Sequence, residues 1–246
     1  MVRLAIAVPT YNEVNNVEKL IMGIAEAVTH SDDIAVSLTI IDDSSPDGTA
    51  AFVRSIAPRL ISDSFHISVL DKPTKNGLGA AYIFGFRAIL EDPSIDYVLQ
   101  MDADLSHDPA YIAGFIHQAK EGVDFVVASR YIPGGGTPDW TWDRRFLSRG
   151  GNFYARTLLS RRISDYTGGF NMYSAALLRR IEPWTISANG YGFLLVLKYR
   201  ALLACTSLVE LPIVFLDRAH GTSKIPRNTL IKNFLLVPII RMRRGR

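Results

Sequence analysis

The chain has 246 residues, with 27 Lys or Arg against 24 Asp or Glu and a formal charge of +3. That length suits one large α/β domain with a sizeable core, and the mild positive balance falls short of the basicity of a dedicated nucleic-acid binder, so no nucleic-acid partner is expected. The single cysteine, Cys205, excludes an intramolecular disulfide and a cysteine-cluster metal site.

The first apolar run, Leu4–Val8, meets Pro9 and then charge too soon for a signal peptide. Val17, Leu20, Ile21, Ile24 and Val28 then recur at helical spacing. Ser37–Ile41 and His66–Leu70 read as strands, Leu78–Leu90 as a helix, Tyr97–Met101 as a strand, Pro109–Lys120 as a helix and Phe125–Ala128 as a strand. Such alternation predicts a mostly parallel sheet with right-handed crossovers and helices on both faces. Ligands bind such sheets at the carboxyl ends of the strands.

Those ends are acidic. Pro9-Thr10-Tyr11-Asn12-Glu13 follows the first strand, Asp42 to Thr49 the second, and Asp102-Ala103-Asp104 the fourth. Asn12, Asp47 and Asp108 read as helix caps. Capping does not account for Asp102 with Asp104, because residues i and i+2 of an extended segment project to one side and their carboxylates repel. A hard divalent ion, Mg²⁺ or Mn²⁺, relieves this, and such ions bind through one or two carboxylates plus substrate phosphates. No G-x-G-x-x-G turn follows the first strand and no Walker phosphate loop occurs; "KNGLGAA" at 75–81 follows the third strand and does not read as a dinucleotide site.

The second half gains arginines. Arg130 ends the fifth strand and is followed by a Gly-, Pro- and Trp-rich stretch read as a mobile loop, then Arg144, Arg145 and Arg149. Arg218, His220 and Lys224 follow the strand-like "LVELPIVFL". An acidic rim facing basic loops suits transfer from a metal-bound diphosphate to a phosphate acceptor. No apolar window reaches transmembrane length. The tail, residues 226–246, combines apolar residues with Arg241, Arg243, Arg244 and Arg246, the pattern of an amphipathic segment lying on an anionic membrane surface. Residues 1–225 are expected to form the globular domain.

Taken together, "PTYNE", "IIDDSSPDGT", "LGAAYIFGF", "MDADLSHDP", "SRY" with its glycine run, "LSRGGN", "DYTGGFNMY", "GYGF" and "LPIVFLDRAHGTSK" occur in order from residue 9 to 224. In this the chain resembles the family 2 glycosyltransferases, and among them the dolichol and polyprenol phosphate mannose synthases. The resemblance implies a GT-A (Rossmann-like) fold and a sugar nucleotide donor, with Pro9, Tyr11, Glu13, Ile41 and Asp43 around the nucleotide. It implies a metal and diphosphate site at Asp102, Ala103, Asp104 and Ser106, and phosphate contacts from Arg130, Arg218 and Lys224. Arg144 or Arg145 supplies the acceptor-phosphate arginine. Asp102, Asp104, Arg130 and Arg218 are thus the expected catalytic set, Mg²⁺ or Mn²⁺ the cofactor, and polyprenyl phosphate the acceptor. The expected location is peripheral, on the cytoplasmic side of a membrane, with room for a separate small membrane protein as anchor.

Two departures from the family pattern stand out. Leu194 and Val196 occupy positions usually held by Gln and Glu after "GYGF", and Asn171 stands where Arg is common. Mannose from GDP-mannose is the default donor; glucose or an N-acetylhexosamine from UDP, a non-lipid acceptor, and a non-catalytic sugar-nucleotide-binding subunit are the alternatives. A phosphomonoester is largely a dianion at neutral pH and attacks without a general base, whereas a hydroxyl acceptor needs one, for which Asp104 is the candidate. His107 reads as helix-start packing more than as a catalytic group.

Overall fold

The computed structural model of the chain describes residues 1–29, 31, 33–188, 190–216 and 227–242. Seven strands form one sheet: β1 (Val2–Thr10), β2 (Ile34–Asp42), β3 (Phe65–Asp71), β4 (Tyr97–Gln100), β5 (Phe125–Ser129), β6 (Asn171–Ser174) and β7 (Leu208–Pro212), in the order β3-β2-β1-β4-β6-β5-β7. All neighbours pair in parallel except β6, which runs antiparallel to β4 and β5. The five strands expected from the first half are present, as are α1 (Val17–Thr29), α3 (Leu78–Leu90) and α4 (Ile112–Lys120), the last preceded by a 3-10 turn at Pro109–Tyr111. α2 (Thr49–Ile56) follows the acidic turn after β2.

Alternation along β1 divides the core. Leu4, Ile6 and Val8 join one apolar cluster with α1 and α4, while Ala5 and Ala7 join the cluster on the opposite face with α3 and α7. The small residues on the second face let α3 lie close to the sheet. A Cβ on Gly85 of α3 would stand 2.1 Å from Ile41 Cδ1, so the helix is seated through a glycine notch over β2.

The second half differs from expectation. The stretch after Arg130 is loop only as far as Thr141; α5 (Trp142–Leu158) begins there and carries Arg144, Arg145 and Arg149. Gly150 and Gly151 inside α5 lower its helix propensity, which hid it in the sequence. β6, α6 (Ala175–Ile181) and α7 (Tyr191–Ala204) also had no clear periodic signal. α7 is buried almost all round, so it lacks the polar stripe that reveals an amphipathic helix.

α8 (Arg227–Met242) packs against α5 and α7. Val237 and Ile240 lie in the core and Arg241 Nη1 donates to Tyr199 Oη at 2.9 Å, whereas Leu235, Ile239 and Met242 are exposed. Among the described residues no helix is long and apolar enough to cross a membrane.

Candidate active site

Left-handed backbone marks the carboxyl rim. Asn12, Ser44 and Leu105 have φ of 60°, 62° and 62°, and they follow β1, β2 and β4 respectively. Non-glycine residues in this region are costly and persist only where their surroundings fix them. Here Asn12 N–H donates to Ser45 Oγ (3.1 Å) and Ser44 Oγ to the Lys72 carbonyl (2.7 Å). Asp47 precedes the α2 N-cap, Gly48, and accepts from Thr49 N–H (3.0 Å), while Asp108 caps the 3-10 turn, accepting from Ala110 N–H (2.9 Å). Asn12 does not cap: it turns the chain in the loop before α1.

The five residues expected around the nucleotide lie at the ends of β1 and β2. Pro9 is in β1, in register with Ile41 of β2. Ile41 turns its side chain into the core beneath Gly85, leaving only its main chain for the rim. Glu13 Oε2 accepts from Asn16 Nδ2 at 2.7 Å. Lys75 Nζ sits 3.3 Å from the Tyr11 ring centroid, a cation–π contact. Asp43 is buried and accepts from Lys72 Nζ (2.8 Å) and from the N–H groups of Asn76 (3.3 Å) and Gly77 (3.1 Å). Lys72, a buried lysine that follows β3, had no motif to announce it; its pairing exists only in the folded chain.

Beyond β4, Asp104 is buried, and its Oδ1 accepts from Ser106 N–H at 3.1 Å and Ser106 Oγ at 2.5 Å. Asp102 is more open, its side chain 31% exposed. Tyr82 Oη lies 3.2 Å from Asp102 Oδ1, and Asp102 N–H donates to His107 Nδ1 at 3.0 Å. Burial lowers the His107 pKa against the opposing pull of Asp102 and Asp104, so the ring is neutral at pH 7. Burial and the Asp102 charge push the Tyr82 hydroxyl up, keeping it a donor. Among the described residues no three acidic, His or Cys side chains cluster as a ready-made metal site. An adjacent pair of carboxylates, one of them reaching the surface, still fits an ion whose remaining ligands come with the substrate.

Arg130 at the end of β5 is held by Asp165, which sequence analysis left without a role. The guanidinium donates through Nε to Asp165 Oδ2 (2.6 Å) and through Nη2 to Oδ1 (2.8 Å) and Thr167 Oγ1 (2.7 Å). Burial works to raise the Asp165 carboxyl, but Arg130 and Lys198 outweigh it and hold it well below the ordinary carboxylate range. Lys198 is fully buried on α7 and donates to the Asp165 carbonyl at 2.7 Å. The turn after Asp165 also reaches the acidic pair, since a Cβ on Gly169 would stand 3.2 Å from Asp102 Oδ2. Asp102 and Arg130 are therefore joined through one loop.

Geometry separates the two candidate acceptor arginines. Arg145 donates to the carbonyls of Trp140 (2.8 Å) and Pro138 (3.0 Å), which ties the loop to α5. Arg144 instead lies over the Trp140 ring, 4.1 Å from its centroid, and Arg130 lies 5.2 Å from the same ring. Arg218 and Lys224, with His220, lie outside the described residues. Leu194 and Val196 are core residues of α7. Asn171 is buried, with Nδ2 3.4 Å from Gln100 Oε1 and 3.3 Å from the Gly168 carbonyl.

Comparison with known proteins shows the family. The family described as Glycosyl transferase family 2 matches residues 5–182. The chain is 35% identical over 223 residues to the polyprenol monophosphomannose synthase of Mycolicibacterium smegmatis, covering 91% of this chain and 81% of that one. It is also 35% identical over 223 residues to the undecaprenyl-phosphate mannosyltransferase of Micrococcus luteus, covering 91% and 87%. Among solved structures, glucosyl-3-phosphoglycerate synthase from Mycobacterium tuberculosis, crystallised with Mn²⁺, UDP and glucosyl-3-phosphoglycerate, superposes with a TM-score of 0.63 at 19% identity, covering 99% of this chain and 80% of that one. This last likeness is one of fold, the GT-A arrangement. With the motifs in order, the sheet wound as expected and two relatives aligned along nine tenths of its length, the chain belongs to glycosyl transferase family 2.

Proposed function

We propose that this protein transfers mannose from GDP-mannose to the phosphate of a polyprenyl lipid at a membrane surface. The observation that carries the reading is the 35% identity, across 91% of the chain, to two proteins named for mannose transfer to polyprenyl phosphates. Neighbouring carboxylates and an arginine fixed by Asp165, joined through the turn 165–169, are the chemistry such a transfer needs.

In this reading Asp102 and Asp104 hold a divalent cation; a synthase of the same fold was crystallised with Mn²⁺. When bound, that ion supplies positive charge against the donor diphosphate. Tyr11, Glu13 and Asp43 receive the nucleoside, and binding there displaces Lys75 from the Tyr11 ring. Arg130 and Arg144 meet phosphate oxygens, with Arg218 and Lys224 as further phosphate contacts. An oxygen of the acceptor phosphate forms the new bond to the anomeric carbon as the bond to the diphosphate breaks, its electron pair leaving with the nucleotide and the configuration inverting. The acceptor dianion needs no base. That Leu194 and Val196 lie in the core, where the family pattern has Gln and Glu, supports a lipid phosphate over a hydroxyl acceptor.

The membrane part of the proposal rests on an exposed stripe. Trp142, Phe146 and Phe153 of α5 are 81%, 77% and 72% exposed, and they recur at helical spacing beside Arg149. Leu235, Ile239 and Met242 of α8, the helix packed beside α5, are exposed as well. Large exposed aromatics interleaved with arginine suit an anionic bilayer surface. The tail, residues 226–246, adds to that contact.

Transfer is tested with purified protein, Mg²⁺ or Mn²⁺ and polyprenyl phosphate, supplying GDP-mannose, UDP-glucose and UDP-N-acetylhexosamines separately, with Asp104→Ala as control. Metal-dependent labelling of the lipid from GDP-mannose alone is expected. Labelling from a UDP-sugar instead would replace the donor, and no lipid labelling from any donor would overturn the reading.

A further inference from the structure

The Asp102 carboxylate is flanked by groups that no role in sugar transfer yet explains. His107 approaches from two directions. Its Nδ1 accepts the Asp102 main-chain N–H at 3.0 Å, which requires a lone pair on Nδ1 and so puts the ring proton on Nε2. Nε2 in turn lies 3.9 Å from Asp102 Oδ2. The ring has little freedom to leave this pose, being stacked on Phe170 (centroids 4.9 Å apart, 18° between planes) and met edge-on by Phe215 at 5.6 Å.

On the other side stands Tyr82, fully buried on α3, whose hydroxyl lies 3.2 Å from Asp102 Oδ1 and 3.1 Å from the Met101 carbonyl. The Tyr82 ring is stacked between Phe86 and Phe193, at 5.6 and 6.3 Å. Gly169 closes the third side, where any side chain would begin 3.2 Å from Oδ2. The Tyr82 hydroxyl shares its one proton between Asp102 Oδ1 and the Met101 carbonyl, His107 Nε2 stands beside Oδ2 just beyond hydrogen-bond reach, and Nδ1 of the same ring holds the Asp102 main chain. Partners of this kind fix the direction in which a carboxylate presents its lone pairs.

We infer that His107 and Tyr82 are positioning residues that hold Asp102 in the orientation from which it meets the divalent cation and diphosphate. The inference rests on the reading that Asp102 and Asp104 form that site. His107 acts here through one fixed tautomer and not as an acid or base. Its place two residues after the β4 turn, with Leu105 in left-handed backbone, is what folds the ring back over Asp102. The stack on Phe170 is the helix-start packing expected of this histidine, and the polar contacts are a second role on the same ring.

Substitutions separate the two roles. His107→Phe keeps an aromatic ring against Phe170 and removes both nitrogens. His107→Asn gives up the stack but offers an amide oxygen near the place of Nδ1. Tyr82→Phe removes only a hydroxyl. Binding of Mn²⁺ alone, and of Mn²⁺ with GDP, is read from the EPR signal of the uncomplexed ion in these variants, in wild type and in Asp104→Ala, with circular dichroism confirming the fold. His107→Phe and Tyr82→Phe are each expected to weaken Mn²⁺ binding by about 10- to 100-fold, with His107→Asn recovering part of the loss. The inference is overturned if folded His107→Phe binds Mn²⁺ like wild type while Asp104→Ala loses it, or if Asn proves worse than Phe, which would leave the ring as packing alone. Should neither His107 variant fold, Tyr82→Phe decides, unchanged affinity there counting against the inference. Undiminished binding in Asp104→Ala would instead remove the metal-site reading on which the inference stands.

Discussion

Asp165 accepts two hydrogen bonds from the Arg130 guanidinium, at 2.6 and 2.8 Å, and the two residues are 0% and 7% exposed. A charge pair this buried owes its stability to both members being present, because removing one strands the other in a medium that cannot solvate it. Asp165→Asn is therefore expected to destabilise the fold by about 3–5 kcal/mol. Urea unfolding measures this, and a loss below about 1 kcal/mol would mean that solvent reaches the pair. Transfer activity should fall along with stability, since Arg130 loses its anchor.

Lys198 gives a prediction of opposite sign. Burial pulls its ammonium down to about 8 from the ordinary 10.5, despite the attraction of Asp165. The folded state thus holds this proton less tightly than the unfolded chain does, and stability from this group rises with pH between those two values. The cost of keeping it charged below pH 8 is on the order of 3 kcal/mol. Lys198→Met should be more stable than wild type near pH 7, by an amount that shrinks as pH climbs toward 10.5. Melting curves of both proteins across that range check the trend; a pH-independent difference would contradict it.

Arg144 and Arg145 should part company. Arg145→Ala frees the carbonyls of Trp140 and Pro138 and is expected to lower thermal stability, by roughly 1–2 kcal/mol for two lost charged hydrogen bonds to a loop. Arg144→Ala removes a cation from over the Trp140 ring and should raise the KM for the lipid acceptor by about 10-fold or more while leaving the donor KM in place. Steady-state kinetics with each substrate varied in turn distinguishes them, and identical profiles would dissolve the assignment.

Vesicle binding tests the α5 stripe. Replacing Trp142, Phe146 and Phe153 together by Ser should reduce partition onto anionic vesicles by at least about 10-fold, because each large aromatic contributes roughly 1 kcal/mol or more when it leaves water. Stability should change by about 0.5 kcal/mol or less per site, as these side chains are exposed in the folded chain. Equal cosedimentation of wild type and the triple variant would remove the stripe from the membrane contact.

The first half of this fold was legible because its strands and helices follow one another with opposite periodicities, and Asp102 and Asp104 were legible because like charges at the end of an apolar strand demand compensation. What stayed hidden depended on distance in sequence or on burial. Asp165 lies 35 positions from Arg130 and Lys72 lies 29 from Asp43, separations that only the wound sheet closes. α7 was invisible for the opposite reason: a helix covered on every side has no polar face to reveal its period. α5 was masked by its two adjacent glycines, and with it the fact that its arginines and exposed aromatics share a single rigid rod. Asn12 shows the remaining kind of error, a residue type suited to capping that serves instead to turn the chain through left-handed backbone.

The reversal of β6 has a practical use. Because β6 runs against its neighbours, the site collects residues from the finishing ends of β1, β2, β4 and β5 and from the turn that precedes β6, and all of these meet at one edge of the sheet. The other edge, where β3 begins after the exposed turn Ser62-Asp63-Ser64, carries none of them. A fluorophore, affinity handle or surface tether attached at that turn would sit a full strand length from the chemistry. It offers a way to immobilise the enzyme with its reactive rim turned toward a supported bilayer.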